Sequence, residues 1–283
     1  MSLRHRVYIS QKRVQHLIMR NIIPLNKYER CVIKTGPKIF ANSIPKSGTH
    51  LLRHILAMMP DINDKWTYHY DQNVCDYNKQ LSASKNGQLI SAHMYWSKEL
   101  SGFLDHANFK VFLMVRDPRD VCVSSAHYCT KDKRHRLNRY FNSLGFWSER
   151  LSAAIEGIEA ERLGDDVRSK SIAEHVNGYM PWIHEENCLV VKFEELVGAK
   201  GGGNIETQIQ TIQKISNHIG FDLSESKLAE IADKSFTNKT KTFRSGQIGG
   251  WRQEFDENNI SLFKKIAGSQ LIELGYEHNN DWL

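Results

Sequence analysis

The sequence predicts an α/β fold in which a central, mostly parallel sheet is flanked by helices, and three features predict it. Strand-like apolar runs alternate with segments of helical periodicity along the chain. The run "KVFLMVRD" at 110–117 is apolar and β-branched enough for a central strand buried on both faces. No internal repeat or linker interrupts the pattern. One domain over 36–283, preceded by a basic extension over 1–35, is therefore the simplest organisation.

Taken in order, "KIFANSI" reads as a strand that runs into a Pro-Lys-Ser-Gly-Thr turn. Leu51, Leu52, Ile55 and Leu56 give the next segment the apolar face of a helix. "QLISAH" is a second strand, and a helix is expected near 97–106. Asp117-Pro118 closes the central strand and opens a helix carrying "VCVSSAHYC". "SIAEHVNGYMPWIH" reads as helix, "CLVVKF" as strand, and 205–219 as a helix with an apolar stripe. The glycine-rich "AKGGGN" at 199–204 reads as a flexible loop. Residues 237–256 are polar and patternless, which predicts a long functional loop, and a final helix is expected over 257–275.

Composition narrows the function. A formal charge of +6 favours anionic ligands or acidic surfaces. The five cysteines are odd in number, scattered and free of C-x-x-C pairs, which predicts reduced thiols rather than a disulfide framework or zinc site. Arg13 and Arg20 interrupt the N-terminal apolar run, so neither a signal peptide nor a membrane span is expected. A cytoplasmic protein with at most peripheral membrane contact is the expectation. No His/Asp/Glu cluster has ligand spacing, and no metal is expected.

Three segments are suited to holding anions. A strand–turn–helix over "IPKSGTHLL" points backbone N–H groups at a helix N-terminus, where unpaired donors and the macrodipole favour an anion. Ser47, Thr49 and His50 add side-chain donors there, Gly48 permits close approach, and Lys46 can meet charge developing on a leaving oxygen. In "RDPRDVCVS", Arg116 stands at the carboxyl end of the central strand and Ser124 on the following helix, so the two can grip a second phosphate. A salt bridge from Arg116 to Asp117 or Asp120 is the alternative role. In "FRSGQIGGWRQEF", Arg244, Ser245 and Gly246 offer charge and backbone donors within a loop.

The order and spacing of these segments resemble the sulfotransferases that use 3′-phosphoadenosine-5′-phosphosulfate (PAPS). That family shows P-K-S-G-T, then R-x-x-x-D-x-x-x-S after a central strand, then R-x-G-x-x-G-x-W. Here these are Pro45 to Thr49, then Arg116 with Asp120 and Ser124, then Arg244, Gly246, Gly249 and Trp251. Weaker likeness runs through "HVNGYMPWIHEENCLVVKFEEL" to "LIELGYE". The resemblance implies a P-loop-like sulfotransferase fold, with Lys46 to His50 on the 5′-phosphosulfate and Arg116, Ser124 and Arg244 to Gly246 on the 3′-phosphate. It also implies that Phe236 and Phe193 pack near adenine, and that PAP (3′-phosphoadenosine 5′-phosphate) leaves as product. Phe193 stands where the cytosolic family usually has Tyr, and Leu51 where many members have Trp.

Sulfuryl transfer needs a base for the acceptor proton, and a histidine titrating near neutrality suits it. His93 ends the "QLISAH" strand and matches the position of the family's catalytic histidine; His127 is the second choice. Ser91 replaces a lysine frequent in the family, which places more of the electrophilic role on Lys46. The acceptor class is open among small molecules, lipids and glycans, with a hydroxyl as the expected nucleophile and no nucleic-acid partner. Loops near 60–88, 128–145 and 237–250 should shape its pocket, with Tyr68, Tyr70, Trp96 and Trp147 as walls or core. "RQEFDENNIS" lacks the Thr-Val of the family's dimer segment, so no oligomeric state is predicted.

Two rival classes remain. A P-loop nucleotide kinase or NTPase would use "VFLMVRD" as its Walker B strand, but the loop lacks G-x-x-x-x-G-K-[ST]. A non-catalytic basic binder would use "KDKRHRLNR" at 131–139, which has no interleaved aromatic motif.

Overall fold

The computed structural model describes residues 35–71, 81–235 and 246–282, with backbone alone for 64–71. Residues 1–34 of the N-terminal extension, Phe236, Arg244 and Ser245 lie outside the described residues.

Among the described residues five strands, β1 (Lys38–Ser43), β2 (Asn63–Asp71), β3 (Gln88–His93), β4 (Phe109–Val115) and β5 (Cys188–Lys192), form one sheet in the order β2-β3-β1-β4-β5. Every pairing is parallel, with Asn42 opposite both Ala92 of β3 and Leu113 of β4. The strand period of two sends alternate side chains to opposite faces. In β4, Val111, Leu113 and Val115 enter one apolar layer while Phe112 and Met114 enter the other. Burying a side chain of this size contributes about 1.5–3 kcal/mol, so the central strands anchor both layers.

The helices, in chain order, are α1 (Thr49–Ala57), α2 (Lys98–His106), α3 (Pro118–Lys131), α4 (Asn138–Ser143), α5 (Trp147–Glu156), α6 (Ala160–Leu163), α7 (Ile172–Tyr179), α8 (Phe193–Leu196), α9 (Ile205–His218), α10 (Glu225–Ser235) and α11 (Glu257–Glu273). Helices α2, α3, α5, α7 and α11 cover one face. Helices α1, α8, α9 and α10 cover the other. The chain thus leaves β1 toward one face and neighbouring β4 toward the opposite one. Such a divergence opens a crevice at the carboxyl ends of the strands.

Several expectations are corrected. Residues 63–71 form edge strand β2 within the expected 60–88 loop. The 128–145 segment contains the last turn of α3 and all of α4. The helix from Ile172 stops at Tyr179 and tightens into a 3₁₀ turn over Met180–His184, where Pro181 has no N–H to continue the ladder. Residues 199–201 are a 3₁₀ turn rather than a loose loop, and Gly250–Gln253 forms another within the long polar segment.

Candidate active site

The anion loop begins where β1 runs out. Ile44 N–H still donates to Met114 O (3.1 Å), and Ser47 N–H donates back to Ile44 O (3.1 Å), closing the turn. That bond uses the Ser47 amide, so the backbone donors of the loop that face an anion begin at Gly48. Lys46 (φ 72°) and Gly48 (φ 102°) both occupy the left-handed region, and a non-glycine residue held there is a strained site. Gly48 is the N-cap of α1 and no side chain caps that helix. An added Cβ on Gly48 would lie 2.7 Å from Phe193 Cδ2 and 2.9 Å from Met114 Cε, so only glycine lets the loop rest on them.

Ser47 is fully buried and its Oγ has no hydrogen-bond partner. Lys46 Nζ stands 4.0 Å from the Tyr128 ring centroid. Burial holds the Lys46 ammonium down to about 8, with Cys129 raising it and the Arg116 charge lowering it further. His50 is exposed in the first turn of α1.

The second segment joins the first through Phe193. This ring, nine-tenths or more buried, touches Gly48 on one side and carries the Arg116 guanidinium 4.4 Å above it on another. Arg116 Nη2 donates to Asp120 Oδ2 (3.2 Å) and to Gln247 O (2.7 Å), while its buried Nε has no partner. Arg116 is therefore both ion-paired with Asp120 and still equipped with an unspent donor. Asp117 instead binds Arg119, through Nε (3.0 Å) and Nη2 (2.7 Å), so the acid of the Walker B reading is engaged by a cation. Ser124 lies half-buried on α3, two turns beyond Arg116.

Asp120 ties in the third segment. Its carboxylate accepts the N–H groups of Gly249 (2.9 Å) and Trp251 (3.0 Å) as well as Arg116. From the other side, Gly201 O accepts Ile248 N–H (3.1 Å) and Lys200 O accepts Gln247 Nε2 (3.1 Å). A Cβ on Gly201 would lie 2.6 Å from Gly246 O, which explains the first glycine of a run at 201–203 that composition alone presented as flexible. Gly246 itself has φ 62°. Arg119, almost wholly buried, is sandwiched with its Cζ 4.0 Å from Trp251 and 4.5 Å from Trp282.

His93 ends β3, beside the end of β1. Its Nδ1 lies 2.8 Å from Ser43 O, a contact in which only the imidazole can donate. The same nitrogen is 3.2 Å from Ser43 Oγ, and that hydroxyl is 2.7 Å from Thr49 Oγ1. Asn42 fixes the backbone after His93: Met94 N donates to Asn42 Oδ1 (2.9 Å) and Asn42 Nδ2 donates to Met94 O (2.8 Å). His127, the second-choice base, pairs with Glu254 (2.8 Å) and stacks on Trp147 (4.2 Å). Trp96 donates to Glu185 (2.6 Å), a structural contact.

Sequence reasoning passed over Asn42, Ser43, Gln247 and Gly201. For the first two the signal was present: two polar residues ending an otherwise apolar central strand at the face where α/β sheets bind ligands. Among the described residues, no three His, Cys, Asp or Glu side chains gather as a metal site.

Known proteins resemble this chain over most of its length. The sulfotransferase domain model matches residues 36–275. Mouse sulfotransferase 2A6 is 24% identical over 261 residues, covering 81% of this chain and 82% of its own. Human sulfotransferase 2A1 is 24% identical over 265 residues, covering 82% and 84%. The crystal structure of mouse sulfotransferase SULT7A1 complexed with PAP superposes with a TM-score of 0.60 at 21% identity, covering 84% of this chain and 87% of that one. With its matching segments gathered around one crevice, the chain belongs to the sulfotransferase domain family.

Proposed function

We propose that this sulfotransferase takes its sulfuryl group from PAPS and passes it to a hydroxyl on a small-molecule, lipid or glycan acceptor by in-line displacement, with His93 as general base. The observation that carries the reading is a pair of buried donors without partners, Ser47 Oγ and Arg116 Nε, on the two segments that bracket the crevice. Orphaned donors at an uncapped helix start fit a ligand with anionic groups at two ends. The PAP in the mouse SULT7A1 complex supports the same nucleotide class.

PAPS, when bound, supplies an activated sulfuryl group on its 5′-phosphate. Ser47, Gly48, Thr49 and His50 hold that end, and Lys46 meets the charge that develops on the phosphate oxygen as the bond to sulfur breaks. Arg116, Ser124, Arg244, Ser245 and Gly246 hold the 3′-phosphate. Phe193, which supports the loop and carries the Arg116 guanidinium, packs near adenine together with Phe236. Donation from Nδ1 to Ser43 O leaves the Nε2 lone pair of His93 to remove the acceptor proton.

The test is thermal denaturation with PAP, ADP and ATP–Mg in parallel, followed by labelled-sulfate transfer to an acceptor panel with wild type and His93→Ala. At a hundred times its Kd a ligand stabilises by about 2.7 kcal/mol, so PAP should rank first. Preference for ATP–Mg would overturn the nucleotide assignment, and full transfer by His93→Ala would overturn the base.

A further inference from the structure

We propose that the Ser43 hydroxyl is a positioning group that couples the anion loop to His93, so that an anion on Thr49 selects the tautomer in which His93 can act as a base. This deepens the proposed mechanism and rests on its assignments of Thr49 and His93.

The argument is a count of protons. Ser43 Oγ lies between two partners, Thr49 Oγ1 at 2.7 Å and His93 Nδ1 at 3.2 Å, and it has one proton to give. Its other acceptor, Ala92 O, is 3.5 Å away and weak. Ser43 is fully buried, so water does not settle the choice.

Two arrangements satisfy the chain. In the first, Thr49 gives its proton to an anion at the loop, Ser43 gives its proton to Thr49, and His93 must supply its own proton on Nδ1. That proton goes to Ser43 O at 2.8 Å, and the lone pair stands on Nε2. In the second, no anion draws the Thr49 proton, so Thr49 donates to Ser43 and Ser43 donates to His93 Nδ1. The ring proton then sits on Nε2 and the base is disabled. This second arrangement also sets the Nδ1 lone pair against the Ser43 carbonyl oxygen, so it is the weaker of the two and yields readily.

An anion that accepts from Thr49 stabilises only the first arrangement, and a ligand shifts an equilibrium by its differential interaction with the two states. The 2.8 Å contact already favours the Nδ1–H form, and nucleotide binding shifts the ring further toward it before an acceptor arrives. The backbone carbonyl of Ser43 orients the ring, while its side chain biases where the proton lies.

The experiment is two-bond ¹H–¹⁵N correlation spectroscopy of the His93 ring, which distinguishes a protonated from a bare nitrogen, with and without saturating PAP. In wild type, PAP should lower the ratio of the Nε2–H to the Nδ1–H form by about fivefold, the effect of one net hydrogen bond. Ser43→Ala should show the Nδ1–H form with or without PAP, and Ser43→Thr should restore the response. Thr49→Val, which cuts the chain at its other end, should lose the response and keeps the test open if Ser43→Ala does not fold. A wild-type ring indifferent to PAP, or a Ser43→Ala ring that still responds about fivefold, overturns the proposal. Full transfer activity in His93→Ala would remove the base assignment while leaving this spectral response measurable, so the two failures are separable.

Discussion

Raising the pH from 7 to 9.5 should weaken nucleotide binding through Lys46. In the free protein burial lowers this ammonium from its ordinary 10.5 to about 8. An anion placed beside it returns the group to its ordinary range or above, because an opposite charge favours the protonated form. Above pH 8 the free protein has lost a proton that the complex must regain, so affinity falls as pH rises. Linkage with a free value of 8 and a bound value of 10.5 gives an apparent Kd for PAP raised about tenfold at pH 9 and about 25-fold at pH 9.5, relative to pH 7. The neighbouring Cys129 thiol is silent in this window, since burial pushes it to about 12. Calorimetric titration of PAP across the range, on wild type and Lys46→Arg, reads the effect. A guanidinium stays charged throughout, so the arginine variant should show a flat profile whatever its absolute affinity. A flat wild-type profile, or an unchanged slope in Lys46→Arg, would refute the reasoning.

Removing the Asp120 carboxylate strands a buried Arg116 and releases two backbone donors of the third segment. Asp120→Ala should cost about 3–5 kcal/mol, and saturating PAP should recover part of it by giving Arg116 a new anionic partner; differential scanning calorimetry with and without PAP checks both. Gly201→Ala places a methyl 2.2 Å from Val197 Cγ2 and 2.6 Å from the carbonyl oxygen of Gly246, at the back of the third segment. The third segment must shift to admit it, so PAP affinity should fall about tenfold while the melting temperature changes by a few degrees; an unchanged Kd would show that this contact does not set the segment's place.

The central strands and the loop were legible because their physics is local. An apolar run between turn residues can only be buried, and a turn of Pro-Lys-Ser-Gly-Thr before a helical stripe leaves donors facing one way. Edge strand β2 was not legible: it has one neighbour, and "NDKWTYHYD" lacks the apolar run that marks β1 and β4. The charged stretch after Cys129 read as loop because the end of α3 and α4 are short and mostly polar, with Phe141 the buried side chain of α4. In the site, charged residues announced themselves but their partners did not. Arg116 was visible, whereas its bond to Gln247 O spans 131 positions and exists only in the folded chain. The glycines at 201–203 were equally visible, but the need for small size at Gly201 comes in part from Gly246, which no local pattern reveals.

Because β1 meets β3 and β4 only after long crossovers, the walls of the crevice come from stretches of chain that are strangers until the sheet closes. A partly collapsed chain holds the loop, the guanidinium and the imidazole but not their juxtaposition. Capacity to retain PAP should consequently return in step with the final renaturation phase, making retention on an immobilised nucleotide a stringent criterion for sorting correctly recovered protein from compact misfolded material.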